Sequence, residues 1–461
     1  MSKIEINPEF KPAKSEFKQE IGVFGGVSII GGIMVGSGIF YLGSYVLMRT
    51  GMSMGLSLLC WVIGGIVSLL GGLCFAELGA SRPVAGGIVV YLNEAYHPMV
   101  GFLSGFCSWL LSGAGSIAAV AIALPTALKA FYDLSDFTIK LIAIALIIGL
   151  TIYNYFGVKN SSILQNVSMI AKLIPIGLIM FGALIMGKQT PNLSLTPVTG
   201  GPVTFTSIIG MIAFATVATL WAYEGWTNLN TVAEEIKNPK KNLPLAIIIA
   251  IGSILALYTV FNYSIYKVLP YEDIVTMIND KNYYLGTEVA KRLFGNVGGT
   301  IVLTGMLISI FGCLNGMILT FPRTYYAMSV EGHFFKAIGK LHPKYKIPHV
   351  ALIIQCIIAS CLVLSRNLDQ LTSMVVFVSM FFNVLVVVAV LIYRKRYPKL
   401  EKPYKVWGYP ITVILTILIF VGLMINTFIE DPVTALIGFV VPAIGCFVYL
   451  YFDKKHKKEA Q

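Results

Sequence analysis

The sequence predicts an all-α membrane protein with twelve transmembrane helices. Of its 461 residues, 56% are hydrophobic and only 12% are charged, whereas soluble domains carry roughly 25% charged residues. The mean hydropathy is +0.79, and apolar stretches of about 20 residues, the length that crosses a bilayer, recur along the chain. A soluble fold of this composition would expose large apolar surfaces, so we expect the solvent to be lipid.

Short polar segments separate the apolar stretches and set the limits of each predicted helix. In chain order, the twelve predicted spans cover residues 22–47, 54–79, 98–127, 139–157, 163–187, 205–230, 244–268, 297–327, 348–365, 370–393, 409–428 and 433–452. A tail of 21 residues precedes them and another, 453–461, follows.

The distribution of basic residues predicts the orientation of the chain in the membrane. With both termini in the cytoplasm, 24 lysines and arginines fall on the cytoplasmic side, nine fall on the outer side, and Lys172 lies within a span. This bias follows the positive-inside rule and predicts a multi-pass plasma-membrane protein with cytoplasmic N- and C-termini. The net charge of +12 therefore reflects topology, and we expect no nucleic-acid partner because no basic cluster is interleaved with aromatic residues.

Several other classes of protein are disfavoured by the sequence. The first twenty residues have no apolar run, so we expect no cleaved signal peptide. The seven cysteines lie in apolar segments without a CxxC pair, and the five histidines lack metal-ligand spacing. No catalytic triad or nucleotide-binding glycine loop is recognisable. We therefore expect no enzyme activity, no cofactor and no metal.

Glycines interrupt the first predicted span. Several glycines and a serine lie between Ile30 and Phe40, and glycine weakens the helical conformation. The run predicts a break near the middle of the membrane. Close packing of helices through small residues is the alternative explanation.

The sixth predicted span contains a carboxylate beside a glycine. Glu224 and Gly225 lie within the apolar stretch from Leu220 to Asn230. An acid at the bilayer centre costs about 2–3 kcal/mol on insertion scales, so Glu224 predicts a polar cavity and a second break. The alternative is a buried structural hydrogen bond.

These two spans lead two successive groups of five predicted helices. Interrupted helices at corresponding positions of two halves are typical of transporter binding sites. An unwound segment frees backbone N–H groups for a carboxylate and carbonyl groups for an ammonium. A zwitterionic amino acid presents both groups, so we expect an amino acid substrate.

Several motifs together resemble the amino acid–polyamine–organocation superfamily and, within it, the L-amino-acid transporter family. The resemblance covers nearly the whole chain. The motifs that carry it are Gly36-Ser-Gly-Ile-Phe40, Phe75-Ala-Glu-Leu-Gly79, Trp221-Ala-Tyr-Glu-Gly-Trp226, Asn228-Leu-Asn230, Glu234-Glu235, Asn238-Pro239, Asn242-Leu-Pro244, Asn315-Gly316, Arg323 and Glu331-Gly332.

The resemblance implies a LeuT-like fold, a five-plus-five inverted repeat with two additional helices. The repeats would cover residues 22–187 and 205–393, and the additional helices 409–452. Relatives in eukaryotes pair with a glycoprotein through a cysteine between the third and fourth spans. The loop at 130–138 has no cysteine, so we expect no disulfide-linked heavy chain.

The resemblance also implies a substrate site at the two breaks. The Gly36–Gly38 backbone would hold the substrate carboxylate, carbonyl groups near Met34 and the sixth-span break would hold the amine, and Trp221 would cover the bound substrate. The full predicted set is Met34, Gly36, Ser37, Gly38, Trp221, Ala222, Tyr223, Glu224 and Thr227.

Lys172 lies deep within the fifth predicted span. By resemblance, a lysine here replaces the sodium ion of sodium-coupled relatives and ties the fifth span to the first and eighth. Its charge is expected to act as a fixed cation or, with a lowered pKa, as a proton carrier. A lysine that extends toward the membrane surface is the alternative.

The predicted function is sodium-independent exchange of L-amino acids by alternating access. A proton-coupled symporter is the alternative, with Lys172 or Glu224 titrating. The Glu224 carboxylate either favours Lys, Arg or ornithine by charge pairing, or is neutralised by burial, or turns toward Tyr223. The sequence does not decide among these.

Overall fold

The computed structural model describes residues 17–36, 38–128, 134–198, 204–280, 282–330, 332, 334–365, 368–430 and 432–460. Two features of the sequence therefore lie outside the described residues: the predicted site residue Ser37 and most of the N-terminal tail. Part of the loop at 130–138, where we expect no heavy-chain cysteine, lies outside them as well.

Within these ranges the chain forms seventeen α-helices. They are α1 Val23–Met34, α2 Gly38–Arg49, α3 Met54–Ser81, α4 Ile88–Ala95, α5 Pro98–Cys107, α6 Gly113–Leu128, α7 Asp136–Tyr155, α8 Val158–Met186, α9 Phe205–Ala222, α10 Asn228–Thr231, α11 Pro239–Val268, α12 Tyr271–Asn279, α13 Leu285–Val330, α14 His349–Ser365, α15 Leu368–Arg396, α16 Ile411–Glu430 and α17 Pro432–Ala460. A π-helical segment, Ser108–Ser112, joins α5 to α6, and a 3-10 turn, Ala233–Glu235, follows α10.

Side-chain caps fix where several of these helices begin. The Thr204 side chain accepts a hydrogen bond from the Ser207 amide and the Ser207 side chain accepts one from Thr204, a reciprocal capping box that starts α9. Ser53 caps α3 and Ser135 caps α7, and in each case the serine side chain accepts one hydrogen bond from a backbone amide of the first helical turn. The predicted starts of these spans fall within a few residues of the capped ends.

The all-α membrane class predicted from the sequence is confirmed. Among the residues described, nine helices are long and apolar enough to cross a membrane, and the pair α1 and α2 makes a tenth if it is counted as one broken span. Leucine, isoleucine and phenylalanine side chains are exposed along α7, α8, α16 and α17, as expected for helices that face lipid.

The centre of the bundle is built around the helices that break. The axes of α1 and α2 differ by 50°, and α9 ends at Ala222 six residues before α10 begins. α1 packs against α8, α11 and α13, whereas α2 packs against α9. The long helices α3 and α11 pack along each other beside them.

Ion pairs and backbone bonds join several segments at one end of the bundle. We call this end the terminal face and define it by Ile21, Glu235, Arg323 and Arg394. The Ile21 amide donates to the Glu235 carbonyl oxygen at 3.0 Å, and the Lys237 amide donates to the Ile21 carbonyl oxygen at 2.8 Å. The chain before α1 is thereby paired with the segment after α10.

Candidate functional site

The two helix breaks lie against each other. Gly225, in the break after α9, has φ +129°, a conformation that favours glycine. A Cβ at this position would lie 2.5 Å from Cγ2 of Ile33, at the end of α1. Glycine is therefore required at position 225 both for its backbone angle and for the close approach of the two breaks.

A small cavity lies between these breaks, and we call it the central cavity. Its volume is about 20 Å³, enough for roughly one water molecule. It is lined by Ile33, Met34, Gly36, Gly38, Val120, Trp221, Ala222, Glu224, Cys313 and Met317. Six of the nine predicted site residues are in this list, so the fold brings together residues nearly 190 positions apart in the sequence.

A second space, the polar cavity, adjoins the first. It has a volume of about 70 Å³ and shares Ile33, Glu224 and Met317 with the central cavity. Its other lining residues include hydroxyl and amide side chains, namely Ser104, Ser108, Ser112, Ser116, Thr227, Asn228, Thr231, Thr324, Ser379 and Asn383. Glu224 therefore lies where the two cavities meet, and it lines the polar cavity together with Ser379.

The three remaining predicted site residues have different positions. Thr227 lines the polar cavity. Tyr223 is fully buried, and its hydroxyl donates to the Trp61 carbonyl oxygen at 2.9 Å, so its side chain points toward α3. Ser37 lies outside the described residues.

Lys172 connects three helices from a fully buried position. Its Nζ donates to the carbonyl oxygens of Gly32 at 2.9 Å and Val35 at 2.6 Å, both at the end of α1, and to that of Ser309 in α13 at 3.3 Å. The Ser309 hydroxyl also donates toward the Val35 carbonyl oxygen, at 2.5 Å. The end of α1 exposes carbonyl groups that a continuous helix would use, and Lys172 and Ser309 satisfy them.

Tyr258 of α11 contacts both breaks at once. Its hydroxyl oxygen lies 2.5 Å from the Met34 carbonyl oxygen and 3.0 Å from the Ala222 carbonyl oxygen, and the side chain is fully buried. Sequence reasoning missed Tyr258, because nothing distinguishes it from the other 22 tyrosines of the chain.

The serine lining of the polar cavity was also missed, although the sequence carries a signal for it. Ser104, Ser108, Ser112 and Ser116 recur every four residues, a spacing that places side chains on one face of a helix. All four line the cavity, across the π-helical segment between α5 and α6.

Ion pairs close the terminal face on one side of these cavities. The Arg323 guanidinium donates to the Glu235 carboxylate at 2.8 and 3.4 Å, and both side chains are at most 3% exposed. Arg394 donates to Glu77 at 2.8 and 2.7 Å. α13 is thereby attached to the segment after α10, and α15 is attached to α3.

Comparison with known proteins decides the family. A family model described as amino acid permease matches residues 21–452. The chain belongs to the amino acid permease family. The resemblance to the amino acid–polyamine–organocation superfamily and its L-amino-acid transporters is thereby confirmed.

Curated relatives match this permease over most of its length. The serine/threonine exchanger SteT of Bacillus subtilis is 32% identical over 95% of the permease and 98% of its own chain. The human b(0,+)-type amino acid transporter 1 is 30% identical over 92% and 85% of the two chains. The human cystine/glutamate transporter is 29% identical over 96% and 87%.

Proposed function

We propose that this permease exchanges L-amino acids across the plasma membrane by alternating access and does not use sodium. The observation that carries the proposal is the convergence of two helix breaks on one cavity. The N-terminal end of α2, at Gly38, would hold the substrate carboxylate, because free N–H groups and the helix dipole favour an anion there. Carbonyl groups near Met34 and Ala222 would hold the amine.

The contacts of Lys172 support sodium independence. Three carbonyl oxygens surround its ammonium group, and carbonyl oxygens are also ligands for a hard monovalent cation. A permanently attached cation satisfies these oxygens without a bound ion. We therefore assign Lys172 a coupling role: it holds the end of α1 against α8 and α13, so that a movement of one of these helices is transmitted to the others.

The small volume of the central cavity supports alternating access. The central cavity holds roughly one water molecule, so an amino acid requires the helices around it to separate. The ion pairs of the terminal face, Glu235 with Arg323 and Glu77 with Arg394, would break when the site opens to that side. The described structure would then be a state closed toward the terminal face.

We extend the proposal to the topology. Each of the twelve predicted spans coincides with a described helix or pair of helices, which supports twelve spans in two five-helix repeats with two additional helices and both termini in the cytoplasm. A green fluorescent protein fused to the C-terminus in a bacterial host tests the orientation. Fluorescence is expected, and its loss at normal expression would contradict a cytoplasmic C-terminus.

Glu224 supports a preference for cationic substrates within this function. Its carboxylate stands between the central and the polar cavity, where the side chain of a bound amino acid would extend. Charge pairing there would favour Lys, Arg or ornithine. Proton-coupled symport through Glu224 or Lys172 is the second candidate mechanism.

Uptake by proteoliposomes tests the proposal. Labelled L-serine and L-arginine are offered separately to vesicles that are empty or loaded with the same unlabelled amino acid, each with and without a sodium or pH gradient. We expect uptake only into loaded vesicles, unaffected by sodium. Equal uptake into empty vesicles would contradict exchange, and uptake driven by an inward proton gradient would establish symport instead.

A further inference from the structure

Three buried amide side chains form a continuous hydrogen-bonded chain outside the cavities. Asn154 of α7 donates from Nδ2 to Oδ1 of Asn315 in α13 at 2.9 Å. Asn315 donates from Nδ2 to Oε1 of Gln165 in α8, also at 2.9 Å. Gln165 donates from Nε2 to the Ser28 carbonyl oxygen of α1 at 3.3 Å. We call this series the amide chain.

The amide chain is completely removed from the membrane surface. Gln165 and Asn315 are 0% exposed and Asn154 is 3% exposed. A buried amide is costly unless its polar atoms are paired, and each of these bonds pairs one amide with the next. The orientation of Gln165 is thereby set by Asn315, with its NH₂ group directed at α1.

Two glycines make room for the Gln165 side chain. A Cβ on Gly32 of α1 would lie 1.6 Å from Nε2 of Gln165, and one on Gly316 of α13 would lie 3.1 Å from it. Gly32 therefore admits an amide between the helices, and any larger residue at position 32 would displace it.

Gln165 and Lys172 lie on the same face of α8, because seven residues are close to two helical turns. Both donate to carbonyl oxygens of α1, Gln165 to Ser28 and Lys172 to Gly32 and Val35. α8 therefore contacts α1 at two positions along its length. The contact of Lys172 lies at the helix break, and the contact of Gln165 lies between the break and the terminal face.

We infer that Gln165 is a positioning residue that holds α1 closed against α8 and thereby sets how readily the site opens toward the terminal face. The inference rests on the proposed transport by alternating access. Asn154 and Asn315 belong to α7 and α13, so the amide chain anchors Gln165 to helices other than α1. The single bond to Ser28 is the longest of the series and the one that must break when α1 moves.

The test compares Gln165→Met with Gln355→Met, in the full-length protein. Methionine has nearly the volume of glutamine and removes the hydrogen bonds. Gln355 of α14 is likewise buried, at 1% exposure, and makes a matched control. Gln165→Asn, which is one methylene too short to reach Ser28, serves as the second variant if Gln165→Met does not fold.

Two measurements are made on each variant. Hydrogen exchange of the peptide covering 23–34 reports the opening of α1 without any substrate. Transport of labelled amino acid by vesicles, measured with the substrate varied on one side at a time, gives the apparent KM at the terminal face and at the opposite face. The ratio of these two values is compared among the variants. One hydrogen bond of this kind corresponds to roughly a fivefold change in an equilibrium constant, so we expect about fivefold faster hydrogen exchange and a terminal-face KM lowered about fivefold relative to the opposite face.

The outcomes separate this inference from the proposed function. An unchanged KM ratio in the Gln165 variants, with or without faster hydrogen exchange, overturns the positioning role, and so does an equal effect of Gln355→Met. If the wild type itself exchanges no amino acid, the proposed function fails, and faster hydrogen exchange of 23–34 still establishes that Gln165 holds α1.

Discussion

The ammonium nitrogen of Lys172 lies 2.6 Å from the carbonyl oxygen of Val35, the first residue after α1. The two residues are 137 positions apart, and their bond attaches the first helix break to α8. The same carbonyl oxygen lies 2.5 Å from the Ser309 hydroxyl of α13. One carbonyl group that has no partner within its own helix therefore joins α1, α8 and α13.

Replacement of Lys172 by alanine is expected to abolish most transport. A hydrogen bond to a charged group contributes about 1.5–3 kcal/mol, so loss of even one should slow exchange by roughly 10- to 100-fold. Lys159→Ala, at an exposed lysine on the same helix, is the control and should leave the rate unchanged. Exchange rates normalised to the amount of folded protein provide the measurement, and a wild-type rate in Lys172→Ala would contradict the coupling role.

Replacement of Tyr258 by phenylalanine removes the hydroxyl that lies between the Met34 and Ala222 carbonyl oxygens. We expect exchange to slow by about fivefold, the value of one net hydrogen bond, with little loss of thermal stability because the ring remains buried. Tyr263→Phe on the same helix is the matched control. Equal rates for Tyr258→Phe and wild type would show that the contact between the breaks does not affect transport.

The Glu224→Gln variant tests how side chains are selected. If the carboxylate pairs with cationic side chains, inhibition of labelled L-serine uptake by Lys and Arg should weaken by about tenfold, the value of roughly 1.4 kcal/mol, while inhibition by a neutral amino acid stays the same. Glu272→Gln, at an exposed acid of α12, should change neither. An unaltered inhibition profile in Glu224→Gln would refute charge pairing.

Removing the acid of the buried pair between Glu235 and Arg323 is expected to destabilise the protein far more than removing the lysine of the exposed pair between Lys240 and Glu401. The first is almost completely buried, whereas the side chains of the second are 51% and 69% exposed. Glu235→Gln leaves a buried guanidinium without its partner, which costs about 3–5 kcal/mol, whereas Lys240→Gln should cost about 0–1 kcal/mol. Thermal unfolding in detergent measures both, and equal shifts in Tm would contradict the difference.

The predicted boundaries agree with the helices because hydropathy and capping are local properties. The sixth span follows the same rule. The sequence predicts a span over 205–230 with a break at Glu224 and Gly225, and the structure divides it into α9 and α10 around these residues. The exception is the segment at 270–295, which contains the short helix α12 and the first turns of α13; the hydropathy pattern alone does not separate them.

The sequence by itself determined the membrane class, the places where two helices break and the unusual depth of Lys172, because composition, glycine content and a charge within an apolar stretch act on their immediate neighbours. Only the tertiary structure decided which groups these features meet. Tyr258 and Gln165 are ordinary polar residues in apolar helices, and their partners lie 224 and 137 positions away for the bonds to Met34 and Ser28. A buried polar group must find a partner, and packing of the helices alone determines where that partner lies.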